Sequence, residues 1–475
     1  MKTGVFILCV FCANSFVVDS FEKSFLERYQ EANDRLQDVL KRDANLQKEW
    51  DARQKMWREP INKGAAMLGD EVLAKCGRMK SSVAPDSVHR LLPGDINVVA
   101  AVGDSITAAN GASATTVFGC LTEYRGRSWS VGGDLSLSQG VSTIPNILRT
   151  LNPNLVGYSV GEGGVESSGA RLNVAEPGNI AIDMPRQARN LVQRLASRSD
   201  VDFQNDWKLI TLFIGGNDLC AVCNDRDAKS PENYRNNIKE ALDILYADVP
   251  RAFVNVVSIL DITPLTALAE DLICTVVQAA VCDCGYGEED ILEELRQTQK
   301  DYNANMEELI DSGLYNGRDD FTVVFQPFFK DTTPPTKPDG TPDVSYFAPD
   351  CFHFSEKGHK QAATTLWNQM FEPVGSKRQA WTQQESIQCS PGSFFATSRN
   401  SRKRAALVAN GEGSEASTSE MGVSYILLAT GLVICVAIVA SLGVIYVRRR
   451  SRNAPTGLNL PTSSESRVNI TDIST

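Results

Sequence analysis

The sequence contains very few histidines and lacks an excess of positive charge. Of 475 residues only three are histidines, His89, His353 and His359, so few side chains can act as a base near neutral pH. Lys and Arg number 47 against 58 Asp and Glu, which gives a net charge of −11. An acidic chain without a basic, aromatic-interleaved patch is not typical of nucleic-acid binding, and we expect no nucleic-acid partner.

The cysteines lack the spacing of a metal site. Cys220 and Cys223 form one close pair, and Cys282 and Cys284 form another. No further pair or histidine cluster completes four ligands at zinc-like spacing. We therefore expect disulfides and no metal, although spacing alone does not give the connectivity.

Residues 1–20 predict a secretory signal peptide. Lys2 provides the charged start, the stretch from Gly4 to Ala13 is apolar, and small residues such as Ser20 offer cleavage sites. The apolar run is too short to span a membrane.

Charge is also absent from a stretch near the other end of the sequence. No charged residue lies between Gly422 and Val447, which is long enough for a transmembrane helix at 421–447. Four arginines follow between residues 448 and 452, so the positive-inside rule places the tail 448–475 in the cytoplasm. We expect a single-pass type I protein of the plasma membrane with an extracellular domain.

The predicted topology determines which cysteines are extracellular and can form disulfides. Of twelve, Cys9 and Cys12 lie in the signal and Cys435 lies in the membrane segment. The others face an oxidising compartment, where disulfides persist. Their number is odd, so at least one thiol is free or pairs between chains.

Apolar runs alternate with helical patterns from about Leu91 onward. The runs that predict buried strands are Ile96–Val102, Trp207–Ile214, Ala252–Ile259 and Phe321–Phe325, with Leu155–Val160 as a weaker candidate. The predicted helices are Pro145–Leu151, Pro185–Leu195, Pro231–Tyr246, Asp290–Asp311 and Ser355–Phe371, the last with Ser355 as its expected N-cap. This alternation predicts an α/β fold, a parallel sheet with helices on both faces.

The segments that flank this domain have different compositions. Residues 21–60 are highly charged, with apolar residues at helical spacing, and predict an amphipathic segment. This segment is either a helix packed on the domain, which we favour, or a removable pro-segment. Residues 376–420 are rich in Ser, Gly and Glu and predict a flexible extracellular stalk, so the domain is expected over 61–375.

The residue types required for nucleophilic catalysis occur in two short segments. Ser105, in Gly-Asp-Ser, follows the strand that ends at Val102, and open α/β sheets carry their sites at such strand ends. A serine needs a neighbouring imidazole to take its proton, and that imidazole needs a carboxylate to orient it. Asp350 and His353 are three residues apart at a loop-to-helix junction, close enough to meet.

An acyl-transfer serine also needs hydrogen-bond donors directed at the oxyanion. Asn217 follows the strand that ends at Ile214 and is expected at the same edge of the sheet as Ser105. Gly178 is a second candidate, because a glycine lets the backbone approach a ligand closely. Each residue alone also suits an ordinary turn.

Together the four segments resemble the sequence blocks of the GDSL (SGNH) hydrolase family. Three stretches, at 127–134, 211–220 and 348–355, resemble its membrane-associated phospholipase B group. The resemblance implies a three-layer α/β/α sandwich and no cofactor. It implies Ser105 as nucleophile, His353 as base and Asp350 as its orienting carboxylate, with an oxyanion hole made by Gly178, Asn217 and the Ser105 amide.

The function implied is a cell-surface phospholipase B that cleaves fatty acyl esters of glycerophospholipids and lysophospholipids through an acyl-serine, with no partner protein. A second hypothesis is the same serine esterase reaction on retinyl, acylglycerol or glycan esters, because the fold does not determine the substrate. A third reading is a non-catalytic adhesion or receptor ectodomain. An apolar trough beside Ser105 favours lipid, and a shallow polar cleft favours glycan.

Overall fold

The computed structural model describes residues 24–58, 79–268, 272–388 and 392–402. The expected signal peptide at 1–20 and the expected membrane helix at 421–447 lie outside these residues, as do Cys76 and Cys389. Within the described ranges, no helix has the length and apolar character needed to cross a membrane.

In the described chain a parallel sheet of four strands forms the centre of the fold. The strands are β1 (Ile96–Gly103), β2 (Trp207–Phe213), β3 (Ala252–Val257) and β4 (Phe321–Gln326). They lie side by side in chain order, and each neighbouring pair is parallel. Nearly every strand residue is buried, as expected for a sheet covered on both faces.

Helices form most of the remaining regular structure. In chain order they are α1 (Phe25–Arg42), α2 (Ala44–Arg58), α3 (Ser105–Ala108), α4 (Ile144–Arg149), α5 (Met184–Ser197), α6 (Gly216–Ala221), α7 (Pro231–Asp248), α8 (Leu272–Val281), α9 (Glu289–Asp311) and α10 (Glu356–Gln369). The last begins after Ser355, whose side chain accepts a hydrogen bond from the Gly358 amide, so the expected N-cap is confirmed.

Both faces of the sheet are covered. Tyr246 of α7 packs against Phe321 with ring centroids 5.2 Å apart. Phe395, near the end of the described chain, packs against Phe253 at 5.5 Å. Phe253 pairs with Thr322, the residue after Phe321, and successive strand residues point to opposite faces. The two aromatic contacts therefore lie on opposite sides, and the predicted α/β fold with a parallel sheet is confirmed.

The predicted strand at 155–160 is wrong. Val156 and Ser159 each form only a single bridge to a neighbouring segment. Gly157 between them has φ of +91°, and a Cβ there would lie 2.4 Å from the Val99 carbonyl oxygen. The glycine lets the chain pass close to β1, but the bend ends the ladder that the apolar run had suggested.

The amphipathic N-terminal segment is two helices, α1 and α2. Ser24 and Glu27 form a capping box that begins α1. The side chains that α1 buries are Phe25, Tyr29, Ala32, Asn33, Leu36 and Leu40. In α2 the Trp57 indole donates to the Phe347 carbonyl at 2.9 Å. These contacts attach α1 and α2 to the domain.

The chain continues to pack against the domain beyond residue 375. Phe395 is fully buried, and the Ala396 amide donates to the Met370 carbonyl at 2.7 Å. The stalk predicted for 376–420 therefore does not begin at residue 376. Composition predicted a non-packing segment because large apolar residues are sparse there, but a few aromatic side chains are enough to hold it on the sheet.

Three disulfides join described cysteines, and they confirm the expectation of disulfide pairing. The pairs are Cys220–Cys282, Cys223–Cys284 and Cys274–Cys351. Cys120 is a free, buried thiol. Among the described residues, no group of His, Cys, Asp and Glu is arranged to hold a metal ion.

The packing of the C-terminal segment is testable. We expect Phe395→Ala to lower the free energy of unfolding by about 3–5 kcal/mol, because it empties a buried aromatic site between Phe253 and Phe371. Phe394→Ala is the matched control, since the Phe394 side chain is 40% exposed. Urea unfolding of both variants measures the difference, and equal stabilities would show that this segment does not pack.

Candidate functional site

Ser105 lies at the end of β1, where the strand turns into the short helix α3. The Asp104 carboxylate accepts a hydrogen bond from the Ile106 amide at 2.9 Å and caps this helix. As first residue of the helix, Ser105 has a backbone N–H that needs no partner within α3. The corner therefore presents the Ser105 hydroxyl and an unused N–H at the same edge of the sheet.

Gln187 of α5 fixes the corner from behind. Its side-chain oxygen accepts from the Gly103 amide at 2.8 Å, and its nitrogen donates to the Gly103 carbonyl at 2.8 Å. A Cβ at Gly103 would lie 2.5 Å from the Phe213 carbonyl oxygen, so only glycine fits there. Sequence analysis missed Gln187, because a lone glutamine on a helix carries no distinguishing signal.

A continuous chain of hydrogen bonds joins the three residues predicted to carry catalysis. His353 Nε2 lies 2.9 Å from Ser105 Oγ, and His353 Nδ1 lies 2.6 Å from Asp350 Oδ2. All three side chains are nearly inaccessible to solvent. With Nδ1 protonated and donating to Asp350, Nε2 is free to accept the Ser105 proton.

Asp350 is held as a carboxylate despite complete burial. Burial opposes its ionisation, but the charge of His353, a hydrogen bond from that ring and backbone hydrogen bonds together keep the pKa of Asp350 below its ordinary value. The amides of Phe352 and His353 both donate to Asp350 Oδ1 at 3.0 Å. Because His353 is only three residues after Asp350, one turn of the chain brings both amides and the imidazole to the carboxylate.

The other two histidines do not join this chain. His359 Nδ1 accepts from the Trp129 amide at 3.3 Å, and burial together with the charge of His353 lowers the pKa of His359 to about 3. His89 Nδ1 lies 2.9 Å from the Thr397 hydroxyl and so contacts the C-terminal segment. His353 is therefore the imidazole within reach of Ser105.

Asn217 and Gly178 lie next to the same corner. Asn217 Nδ2 donates to the Asn179 carbonyl at 2.9 Å, and its second N–H remains available for a ligand. The Glu176 amide donates to the Gly103 carbonyl at 3.2 Å, so the segment that contains Gly178 runs beside the end of β1. Asn217 lines the cavity in front of Ser105, whereas Gly178 is not among its lining residues and packs against Phe25.

That cavity is partly open to solvent, and its surface is mostly apolar. Its lining residues are Asp104, Ser105, Ile106, Phe213, Gly216, Asn217, Ile259, Leu260, Ile262, Leu265, Phe347, Phe352 and Phe354. Such a concave apolar site with a few polar groups at one end is typical of ligand binding. The polar end is where the serine is.

Helix α8 is attached to the loop that carries Asp350. Cys274 of α8 forms a disulfide with Cys351, and Gln278 donates to the Cys351 carbonyl at 2.6 Å. Cys351 has φ of +57°, an uncommon conformation for a residue with a side chain. The covalent bond and the hydrogen bond both hold this residue, next to the Asp350 carboxylate. Spacing alone did not reveal this pairing.

Helix α1 also reaches the site, which sequence analysis did not predict. The Tyr29 hydroxyl donates to Asp350 Oδ2 at 3.0 Å. The Phe25 ring meets the His353 ring edge-on with centroids 6.2 Å apart. A Cβ on Gly178 would lie 2.6 Å from the Phe25 Cβ, so the glycine permits this close approach. Both aromatic residues fit the amphipathic pattern and showed no other signal.

Two further carboxyls beside Ser105 are buried. Burial raises the pKa of Asp104 to about 6 and that of Asp218 to about 7. The Asp218 carboxylate accepts the Ala181 amide at 3.1 Å, which offsets part of the cost of burial. Both groups retain a proton at a pH where an exposed carboxyl has lost it.

We expect this retention to make stability depend on pH. An unfolded aspartate ionises near pH 4, so between about pH 4 and 7 the native state binds a proton that the unfolded state has lost. The free energy of unfolding therefore falls as pH rises through this window. Asp218→Asn should reduce that fall, measured by urea unfolding at about pH 5 and pH 8. Asp248→Asn, an exposed carboxyl on α7, is the control, and identical pH dependence in the two variants would contradict the prediction.

The chain is similar in sequence to known proteins. The model of the GDSL-like lipase/acylhydrolase family matches residues 99–366. The membrane-associated phospholipase B1 of Homo sapiens is 50% identical over 305 residues, which cover 62% of this chain and 21% of that protein. Its Mus musculus counterpart is 47% identical over 327 residues, covering 67% and 22%.

The Rattus norvegicus protein of the same name is 45% identical over 333 residues, covering 68% of this chain and 23% of that protein. The chain thus spans about a fifth of the length of the curated relatives it matches. The family match extends from β1 through α10 and includes the strand ends and the loop that form the site. The chain belongs to the GDSL-like lipase/acylhydrolase family.

Proposed function

We propose that this chain is a phospholipase B that hydrolyses fatty acyl esters of glycerophospholipids and lysophospholipids. The observation that carries the proposal is the hydrogen-bonded chain Asp350–His353–Ser105, which ends at the polar end of an apolar cavity. A serine activated in this way attacks an acyl carbon, and the cavity suits the hydrocarbon of a fatty acid.

In the first half of the reaction, Ser105 Oγ attacks the ester carbonyl while His353 Nε2 takes the serine proton. Asp350 keeps Nδ1 of the ring protonated and stabilises the imidazolium that forms. The tetrahedral intermediate collapses when His353 gives the proton to the departing alcohol oxygen. The products are the released alcohol and an acyl ester on Ser105.

Negative charge on the carbonyl oxygen requires donors. The Ser105 amide, the Gly178 amide and the side-chain N–H of Asn217 are the proposed oxyanion hole. In the second half of the reaction, His353 takes a proton from the water that attacks the acyl ester. The bond between the acyl carbon and Ser105 Oγ then breaks, His353 returns the proton to Oγ, and the fatty acid leaves. The chain's own residues supply every proton transfer in this sequence.

The lining of the cavity supports a lipid substrate. Aliphatic and aromatic side chains such as Ile259, Leu265 and Phe352 form most of its wall. Fully burying one such side chain is worth roughly 1.5–3 kcal/mol, and an acyl chain gains in the same way. The names of the relatives, phospholipase B1, point to the same substrate class.

A retinyl or acylglycerol ester would fit the same apolar cavity and is the second candidate. A glycan ester is less well matched, because a sugar would place hydroxyls against the apolar wall without hydrogen-bond partners. A non-catalytic adhesion ectodomain does not require hydrogen-bonded Ser, His and Asp side chains, so their alignment favours a hydrolase over this alternative.

We also propose that the domain is extracellular and attached to the plasma membrane by one helix at 421–447, with a signal peptide at 1–20. The uncharged stretch followed by arginines supports this topology. The three disulfides are typical of proteins in oxidising compartments. The relatives are named as membrane-associated.

The substrate assignment is tested by following fatty acid, lysolipid and deacylated headgroup released from phosphatidylcholine. We expect the wild-type chain to remove both acyl chains in sequence and Ser105→Ala to remove neither. Ser138→Ala, an exposed serine, is the control. Labelling of Ser105 by a serine-reactive phosphonate without release from phosphatidylcholine would point to another ester. Absence of both from folded protein would contradict hydrolysis.

The oxyanion role of Asn217 is tested separately. We expect Asn217→Ala to lower kcat by ~10²–10³, because one donor to the oxyanion is lost. Asn224→Ala removes a similar side chain from an exposed position close by in the sequence and should keep normal turnover. Near-normal kcat in Asn217→Ala would remove this residue from the oxyanion hole.

A further inference from the structure

Helix α1 lies outside the residues matched by the family model, yet one of its side chains reaches the innermost carboxylate of the site. Tyr29 is fully buried, and its hydroxyl donates to Asp350 Oδ2 at 3.0 Å. The same oxygen accepts from His353 Nδ1 at 2.6 Å. The other carboxylate oxygen already accepts two backbone amides. Tyr29 therefore competes directly with the imidazole for the electron density of one oxygen.

We propose that Tyr29 is a positioning residue for the Asp350–His353 pair, so that a residue of the N-terminal helix tunes the general base of the proposed hydrolase. The inference rests on the proposed function. The Tyr29 hydroxyl holds the Asp350 carboxylate in the orientation that meets His353 Nδ1. It also withdraws part of the negative charge that stabilises the His353 imidazolium. Tyr29 acts through Asp350 and does not touch the substrate.

Helix α1 contacts the catalytic pair without lining the cavity in front of Ser105. The cavity in front of Ser105 is lined by residues from β1 onward, and neither Phe25 nor Tyr29 is among them. Both rings pack against His353 with centroids 6.2 and 6.4 Å away. Phe25 also lies against Gly178, so α1 packs on the His353 ring and on the segment that carries one of the proposed oxyanion donors.

The position of the hydroxyl is well fixed. The capping box at Ser24 and Glu27 begins α1 one turn before Tyr29. Burial and the nearby Asp350 charge raise the pKa of Tyr29 well above its ordinary value, so the hydroxyl remains a donor throughout the pH range of an activity assay. A donor that keeps its proton acts on Asp350 at every such pH.

Other titratable groups face the pair from the elements around it. Cys120 lies near Asp350 and Tyr29, and burial keeps its thiol protonated by raising its pKa. Asp104 interacts with the charge of His353, and burial raises its pKa to about 6. His359 also interacts with His353 and stays neutral, because burial lowers its pKa to about 3. Asp104 alone among these three titrates in the assay range.

The test compares Tyr29→Phe with Tyr315→Phe in the full chain. Both substitutions remove a buried tyrosine hydroxyl that donates to a carboxylate, since Tyr315 donates to Asp243 Oδ1 at 2.9 Å, far along the chain from Asp350. Hydrolysis of p-nitrophenyl butyrate is measured across pH, and kcat and KM are obtained separately. The rate of phosphonate labelling of Ser105 provides a second readout.

We expect Tyr29→Phe to lower kcat roughly three- to tenfold with KM unchanged, because a hydrogen bond to a charged group is lost outside the cavity. The acid limb of the pH profile of kcat/KM should move to higher pH by roughly half a unit, since Asp350 with one donor fewer stabilises the imidazolium more strongly. Tyr315→Phe should match the wild type in both. In the Asp350→Asn background, Tyr29→Phe should have no further effect.

A Tyr29→Phe profile that coincides with those of the wild type and Tyr315→Phe overturns the inference and leaves the proposed hydrolase intact. The inference is also overturned if Tyr29→Phe lowers kcat by the same factor in the Asp350→Asn variant as in the wild type. The effect of Tyr29 would then not pass through Asp350. A wild-type chain that neither hydrolyses the ester nor reacts with the phosphonate overturns the proposed function, and the inference with it.

Discussion

The site depends on keeping a carboxylate ionised in the protein interior. Asp350 has no exposed surface, and an ionised group without partners in such a place is strongly destabilising. Two backbone amides, the His353 ring and the Tyr29 hydroxyl supply its hydrogen bonds. Because these partners satisfy the charge, Asp350 can hold the imidazole in the tautomer that leaves Nε2 free for Ser105.

Segments that are distant in the sequence contribute to this arrangement. Gln187 fixes the glycine before the serine corner, and Asn217 is tied to the backbone at Asn179. The disulfide between Cys274 and Cys351 attaches α8 to the loop beside Asp350. The parallel sheet places the strand ends at one edge, and these cross-links then fix the side chains to within hydrogen-bonding distance.

The sequence predicted those features that depend on local pattern. Apolar runs located all four strands to within two residues at each end, and Ser355 was identified as an N-cap from its position before a helical pattern. The contact between Asp350 and His353 also followed from their spacing, because one turn of loop brings them together. In each case the determinants lie within one segment.

Features that depend on long-range contacts were not predicted from the sequence. Tyr29 is 321 residues from Asp350, and its place in an amphipathic pattern is that of any core aromatic residue. Phe395 packs on the sheet although its surroundings have the composition of a stalk. Gly157 interrupts a run that alternates like a strand, because its close approach to Val99 bends the chain. Periodicity and composition do not encode these three-dimensional neighbours.

In the proposed mechanism, Ser105 carries the acyl group between the two halves of the reaction. Rapid mixing of the wild-type chain with a slowly hydrolysed fatty acyl ester, followed by acid quenching and mass spectrometry of the peptides, tests this step. We expect an acyl adduct on Ser105 that forms and decays at rates compatible with turnover. Hydrolysis that proceeds without an adduct, or with an adduct on another residue, would contradict it.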